Sequence, residues 1–99
     1  MINLERIVGF DWDPGNARKN EKHDVSQSEA EQAFFDPQLL IVDDLAHSGS
    51  ESRYHALGIT FQARHLHITF TLRMEETRIR VVSARDMHRK ERYVYNRKD

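Results

Sequence analysis

Between residues 65 and 73 apolar and polar positions alternate without a break. Leu66, Ile68, Phe70 and Leu72 stand against His65, His67, Thr69, Thr71 and Arg73. A period of two predicts a strand with one buried face and one polar face. Thr77 to Ser83 repeats the pattern, with Ile79 and Val81 turned one way and Arg78 and Arg80 the other; Met74-Glu75-Glu76 reads as the turn between. Arg53 to Phe61 places Leu57, Ile59 and Phe61 on one face. Leu39 to Val42 reads as a shorter strand, followed by a turn-rich loop from Asp43 to Ser50.

The N-terminal third has a different period. Ile7 to Trp12 reads as a short strand, and Asp13-Pro14 then supplies a cap and a preset first helical position. A short polar helix is expected to end at Lys22 and His23, where cations suit the helix dipole. Ser26 and Glu29 have capping-box spacing ahead of an apolar stripe of Ala30, Ala33 and Phe34, and Asp36-Pro37 closes that helix. A last helix is expected from about Ala84 to Tyr95, packing through Ala84, Met87, Val94 and Tyr95. The predicted order is strand, two helices, four strands, helix. Short connections between the later strands call for antiparallel pairing. The expected fold is therefore α+β: a small antiparallel sheet with N-terminal helices and a C-terminal helix on one face, the other face open and polar.

Ninety-nine residues allow one domain, 1–99, and 38% hydrophobic residues still permit a core at this size. The absence of cysteine excludes disulfides, thiolate metal sites and cysteine nucleophiles. Leu39 to Val42 is the longest apolar stretch, far short of the about 20 residues of a membrane span, and the first 25 residues lack the apolar core of a signal peptide. A soluble, cytoplasmic protein without membrane contact is expected. The net charge of −1 conceals a division. Residues 1–51 hold four Lys/Arg against eleven Asp/Glu, whereas residues 52–99 hold eleven against five. Most of the basic residues are arginine, whose planar fork matches phosphate oxygens, so the second half suggests a polyanion partner.

Chemistry is expected on the open face. Thr69, Thr71, Arg73, Arg78 and Arg80 share one side of a strand pair, and Arg85, Arg89 and Arg92 are spaced as one stripe of the last helix. His65-x-His67 has metal-ligand spacing, but no third ligand is near it in sequence, and no metal or cofactor is expected. His23, beside Lys22 at a helix end, is a candidate for acid–base work. There is no phosphate-binding glycine loop, nucleophile elbow or paired-carboxylate site. An RNA-cleaving site needs none of these. RNA supplies the 2′-hydroxyl nucleophile, and the protein adds a base, an acid and cations around the transition state.

Specific strings then carry a resemblance. Phe10-Asp11-Trp12-Asp13-Pro14, Asn20-x-Lys22-His23, Glu29-Ala30 and Phe35-Asp36 occupy the first half. Glu51-x-Arg53-Tyr54, Gly58, Thr71-x-Arg73, Ile79 to Arg85, Glu91-Arg92 and Tyr95 follow in the second. In this order and spacing, over nearly the whole chain, they resemble the BrnT toxin family. One departure is Asp24, where the family usually has glycine after the Lys-His pair; aspartate tolerates a left-handed backbone at some cost. A second is the variable loop from Leu45 to Ser50.

The resemblance implies a RelE-like fold and a ribonuclease toxin of a type II toxin–antitoxin pair that inhibits translation by cutting RNA; the RNA's own 2′-hydroxyl nucleophile makes metal-independent cleavage the expectation. It implies a BrnA-type antitoxin with a ribbon-helix-helix domain, operator DNA bound through that antitoxin, and a heterotetramer with two toxin chains. Site residues expected from the matching strings are Lys22, His23, Arg53, Arg73, Arg80 and Arg85 converging at the open face, with Glu51, Glu91 and Tyr95 at its edge. Trp12, Phe34, Phe35 and Tyr93 are the candidate apolar contacts for the antitoxin. The other reading of the same basic face is a non-catalytic nucleic-acid-binding or repressor-complex subunit.

Overall fold

The computed structural model describes residues 2–47, 49 and 51–97, and of residues 19–21 only the backbone. A 3-10 turn, Leu4–Arg6, leads into β1 (Gly9–Phe10), α1 (Pro14–Glu21), α2 (Gln27–Ala33), β2 (Leu40–Asp44), β3 (Arg53–Ile59), β4 (His65–Arg73), β5 (Arg78–Asp86) and α3 (Arg89–Arg97). Of the loop expected to reach Ser50, residues 48 and 50 lie outside the described residues, and Asp43 and Asp44 belong to β2.

Local signals set both early helices. The Asp13 carboxylate accepts the backbone N–H groups of Gly15 and Asn16 at the start of α1. Ser26 and Glu29 form the full capping box of α2, each side chain accepting the other's backbone N–H at 3.0 Å. Between the helices Asp24 has φ 57°, the left-handed conformation its place after the Lys-His pair predicts.

The sheet order is β1-β5-β4-β3-β2. The last four strands pair antiparallel, but β1 lies parallel to β5, which corrects the expectation of a wholly antiparallel sheet. Short turns force antiparallel neighbours only between consecutive strands; β1 meets β5 after most of the chain has intervened, so its direction is unconstrained. β5 also continues to Asp86, where a helix was expected from Ala84. The nine-residue β4 offers partners that far: Ser83, Ala84, Arg85 and Asp86 pair with Thr69, Ile68, His67 and Leu66. The anticipated stripe of Arg85, Arg89 and Arg92 is thereby split between a strand and a helix.

One face of the sheet carries the core. Leu66, Ile68, Phe70, Ile79, Val81 and Ala84 are buried there against Val25, Ala30 and Ala33 of the helical layer. The Phe34 ring stands edge-on to both Phe10 and Phe70. The opposite face is not left wholly open. Leu57 with Met87, partly buried Leu40 and Ile59 form a second apolar patch there, and Tyr95 of α3 packs on it. The helices therefore cover both faces: α2 packs on one side, α3 on one end of the other, and α1 runs along β5, where Asn16 donates to the Val81 carbonyl.

Candidate active site

Across the strands, the polar face falls into rows. Arg78 and Arg73 face each other in the first. Arg80, Thr71, Arg53 and Asp44 make the second, and Ser83, Thr69, His55 and Val42 the third. Arg85, His67, Leu57 and Leu40 make the fourth, and His65 and Ile59 the fifth. α3 lies over the fourth and fifth rows. The Tyr95 ring meets His65 edge-on, and its hydroxyl donates a short hydrogen bond to Asp36, which also accepts the backbone N–H of Ile59. Burial first, and Asp36 second, raise the Tyr95 phenol above its usual range. Among the described residues, the side-chain hydrogen bonds and ring contacts of α3 fall on the fourth and fifth rows rather than the first three.

Each arginine expected at the site is held by carboxylates or by its row. Arg73 pairs with Glu51 at 3.0 Å, and Arg80 with Asp13 at 2.9 Å and Asp11 at 3.5 Å. Arg85 makes two hydrogen bonds to Glu91, 2.8 and 2.9 Å long. Glu91 also accepts the His88 N–H. Burial alone would raise its carboxyl, but Arg85 and the His88 N–H outweigh it and bring it down to about 2. Arg53 stands opposite Asp44 across β2 and β3.

Histidines occupy the middle of the face. His55 Nε2 lies 2.7 Å from the Asp44 carboxylate and Nδ1 lies 3.0 Å from the Thr69 hydroxyl. The Asp44 carboxyl is opposed by burial but lowered to about 2 by hydrogen bonds with His55 and His47. With Nε2 directed at the carboxylate and Nδ1 at the Thr69 hydroxyl, the ring is held in place by an acid on one side, the kind of orientation an acid–base imidazole needs. The His67 ring sits 4.9 Å from that of His55. Burial is the main force on His67; Glu91 opposes it, Arg85 and His55 reinforce it, and the net pKa is about 4. His67 is thus neutral at pH 7.

Two side-chain atoms are buried without a hydrogen-bond partner among the described residues, His67 Nδ1 and Thr71 Oγ1. Both belong to this face. A buried hydroxyl left unpaired costs about 1–3 kcal/mol, so such atoms call for an explanation.

The nine expected site residues, six set to converge and three at the edge, lie in separate groups. Arg73 and Arg80 share a face, as the alternation predicts, and Glu51 and Arg53 stand at the same end of the sheet. Arg85, Glu91 and Tyr95 lie where α3 crosses the face. Lys22 and His23 are exposed on the turn after α1, at the far corner where β4 begins and β5 ends. Arg64 fixes that corner: it binds Glu29, Asp86 and the backbone oxygens of His23 and Asp24. At about 3.3 Å per residue, β4 separates the two ends by on the order of 25 Å. Sequence reasoning passed over Asp44, His55 and Arg64. The alternation that selects Leu57 and Ile59 also puts Arg53 and His55 on their side of β3, which was signal enough for His55; its pairing with Asp44 had none.

Fold and face together define a small α+β protein with a basic, histidine-bearing sheet surface. The family model for the ribonuclease toxin BrnT of type II toxin–antitoxin systems matches residues 12–91, and the chain belongs to that family. Membership makes it a ribonuclease toxin with an antitoxin for a partner. Among curated proteins none matches the chain. No helix among the described residues is long and apolar enough to cross a membrane.

Proposed function

We propose that this chain is a metal-independent endoribonuclease of RelE-like build that cuts RNA on the first three rows of its polar sheet face and so stops translation. The observation that carries the reading is the oriented imidazole of His55, held by Asp44, one row from Arg53 and Arg80. In the reaction the RNA 2′-hydroxyl gives its proton to a base. Its oxygen forms a bond to phosphorus, the bond from phosphorus to the 5′-oxygen breaks, and that oxygen takes up a proton. A 2′,3′-cyclic phosphate and a 5′-hydroxyl result. Arg53, Arg73 and Arg80 supply the positive charge that the transition state needs. Glu51 orients Arg73, while Arg85 with Glu91, and Tyr95 with Asp36, fix α3 across the face.

Lys22 and His23 form a second basic group, which contacts the RNA chain further along, and His23 is the competing proton-transfer group. Purified protein with the single substitutions His55→Ala and His23→Ala decides between them: the group that transfers the proton loses cleavage by about a hundredfold or more. Full cleavage in both variants overturns both assignments. Binding of RNA with no cleavage by the wild type would leave a non-catalytic nucleic-acid-binding subunit.

The antitoxin in this reading is a BrnA-type protein whose ribbon-helix-helix domain binds operator DNA and brings two toxin chains into a heterotetramer in the cytoplasm. It masks the arginine rows with acidic side chains and anchors on exposed apolar ones. Of the four candidates for anchors, Phe35 and Tyr93 are exposed, whereas Trp12 and Phe34 pack against the core. Induced expression in a bacterium, with and without that partner, should show growth arrest and RNA loss only without it.

A further inference from the structure

We infer that Thr71 anchors a phosphate of the bound RNA, an assignment that rests on the ribonuclease reading. Its hydroxyl is buried, the residue being 5% exposed, and has no hydrogen-bond partner among the described residues. On β5 its register partner is Arg80, and on β3 it is Arg53. Neighbouring strands lie about 4.8 Å apart, so guanidinium groups on both sides reach an anion above Thr71. The adjacent row sets Arg73 directly opposite Arg78, a like-charge pair that Glu51, 3.0 Å from Arg73, offsets in the resting protein.

The chemistry of the three donors fits a phosphodiester. Each of its two non-bridging oxygens accepts several hydrogen bonds, and arginine presents parallel N–H groups to such oxygens. Thr71 then donates its O–H from below, an O–H that none of the described residues satisfies. The side chains that flank the hydroxyl in register, Arg53 and Arg80, are long and can rearrange about an anion without movement of the backbone. In the resting protein Asp11 and Asp13 hold Arg80 and Glu51 holds Arg73. Those carboxylates keep the charges apart until phosphate replaces them. The apolar neighbours of Thr71 along β4, Phe70 and Leu72, point to the other face, so the hydroxyl is the polar group this position adds to the row.

The test measures binding of an RNA oligonucleotide with 2′-O-methyl riboses, which cannot be cut, by fluorescence anisotropy. Wild type is compared with Thr71→Val, Thr71→Ala and Thr71→Ser. Loss of the hydroxyl should weaken binding by about ten- to a hundredfold, and serine should restore it to within about threefold. Thermal stability of Thr71→Val should stay level or rise, because the substitution removes an unpaired buried hydroxyl; a structural hydroxyl would give the opposite. The salt dependence of binding should be unchanged, since no charge is lost. Wild-type affinity in both Thr71→Val and Thr71→Ala would overturn the assignment, as would no binding of the analogue by the wild type. If the analogue binds, Thr71→Val weakens it and RNA is never cut, the phosphate subsite stands and only the cleavage reading falls.

Discussion

The Arg85 guanidinium holds the Glu91 carboxylate through two parallel hydrogen bonds, tying the end of β5 to the first turn of α3. Both side chains are about three-quarters shielded from water. Geometry of this kind is worth more than an ordinary surface pair. Arg85→Ala and Glu91→Ala should each destabilise the fold, with a coupling of about 1–2 kcal/mol in a double-mutant cycle followed by urea unfolding. Additive effects of the two substitutions would mean that the pair does not hold α3.

His67 predicts a pH window. In the unfolded chain the imidazole titrates near 6.5, and in the fold burial lowers it to about 4. As pH falls from 6.5 to 4 the unfolded state takes up a proton that the folded state refuses, so stability declines, and above 6.5 the contribution is constant. The loss should reach about 3 kcal/mol across that window. His67→Phe should remove it, shown by urea midpoints at pH 7, 5.5 and 4.5; an equally steep decline in the variant would refute a neutral His67.

Gly58 is a point of close approach between layers. A Cβ there would lie 2.6 Å from the backbone oxygen of Ala33, which cannot step aside without moving the end of α2. Gly58→Ala should cost about 1–3 kcal/mol, measured as a fall in thermal midpoint. No change in midpoint would show that α2 gives way freely.

Asp24 holds a left-handed backbone in the turn that carries His23. Glycine adopts that conformation without the Cβ penalty, so Asp24→Gly should stabilise the protein by about 0.5–1 kcal/mol. A lower thermal midpoint would show that the Asp24 side chain has a role beyond the turn.

Cleavage should persist in excess EDTA, because the substrate supplies its own nucleophile and no metal-bound water is required. Activity lost to EDTA and restored by Zn²⁺ or Mn²⁺ would bring His65 and His67 back as ligands.

Much of the architecture is written locally. The alternation from Leu66 to Arg73 sets which side chains of β4 enter the core, since successive residues of a strand point to opposite faces whatever it pairs with. Ser26 and Glu29 fix the start of α2 by hydrogen bonds three residues apart, and Asp13 does the same for α1. The strings that mark the toxin family are likewise a property of the chain.

Only the tertiary structure decided what depends on register and on distant partners. Ala84 and Arg85 suit a helix locally, yet pairing with Ile68 and His67 keeps them in β5 because the ladder satisfies their backbone there. Asp44 meets His55 only once β2 and β3 align. Thr71 comes between Arg53 and Arg80 only when three strands lie in one register. His23 is carried to the opposite corner by Arg64, whose partners Glu29 and Asp86 come from other elements. The period along a strand selects a face, but the neighbours on that face come from parts of the chain that local sequence does not relate.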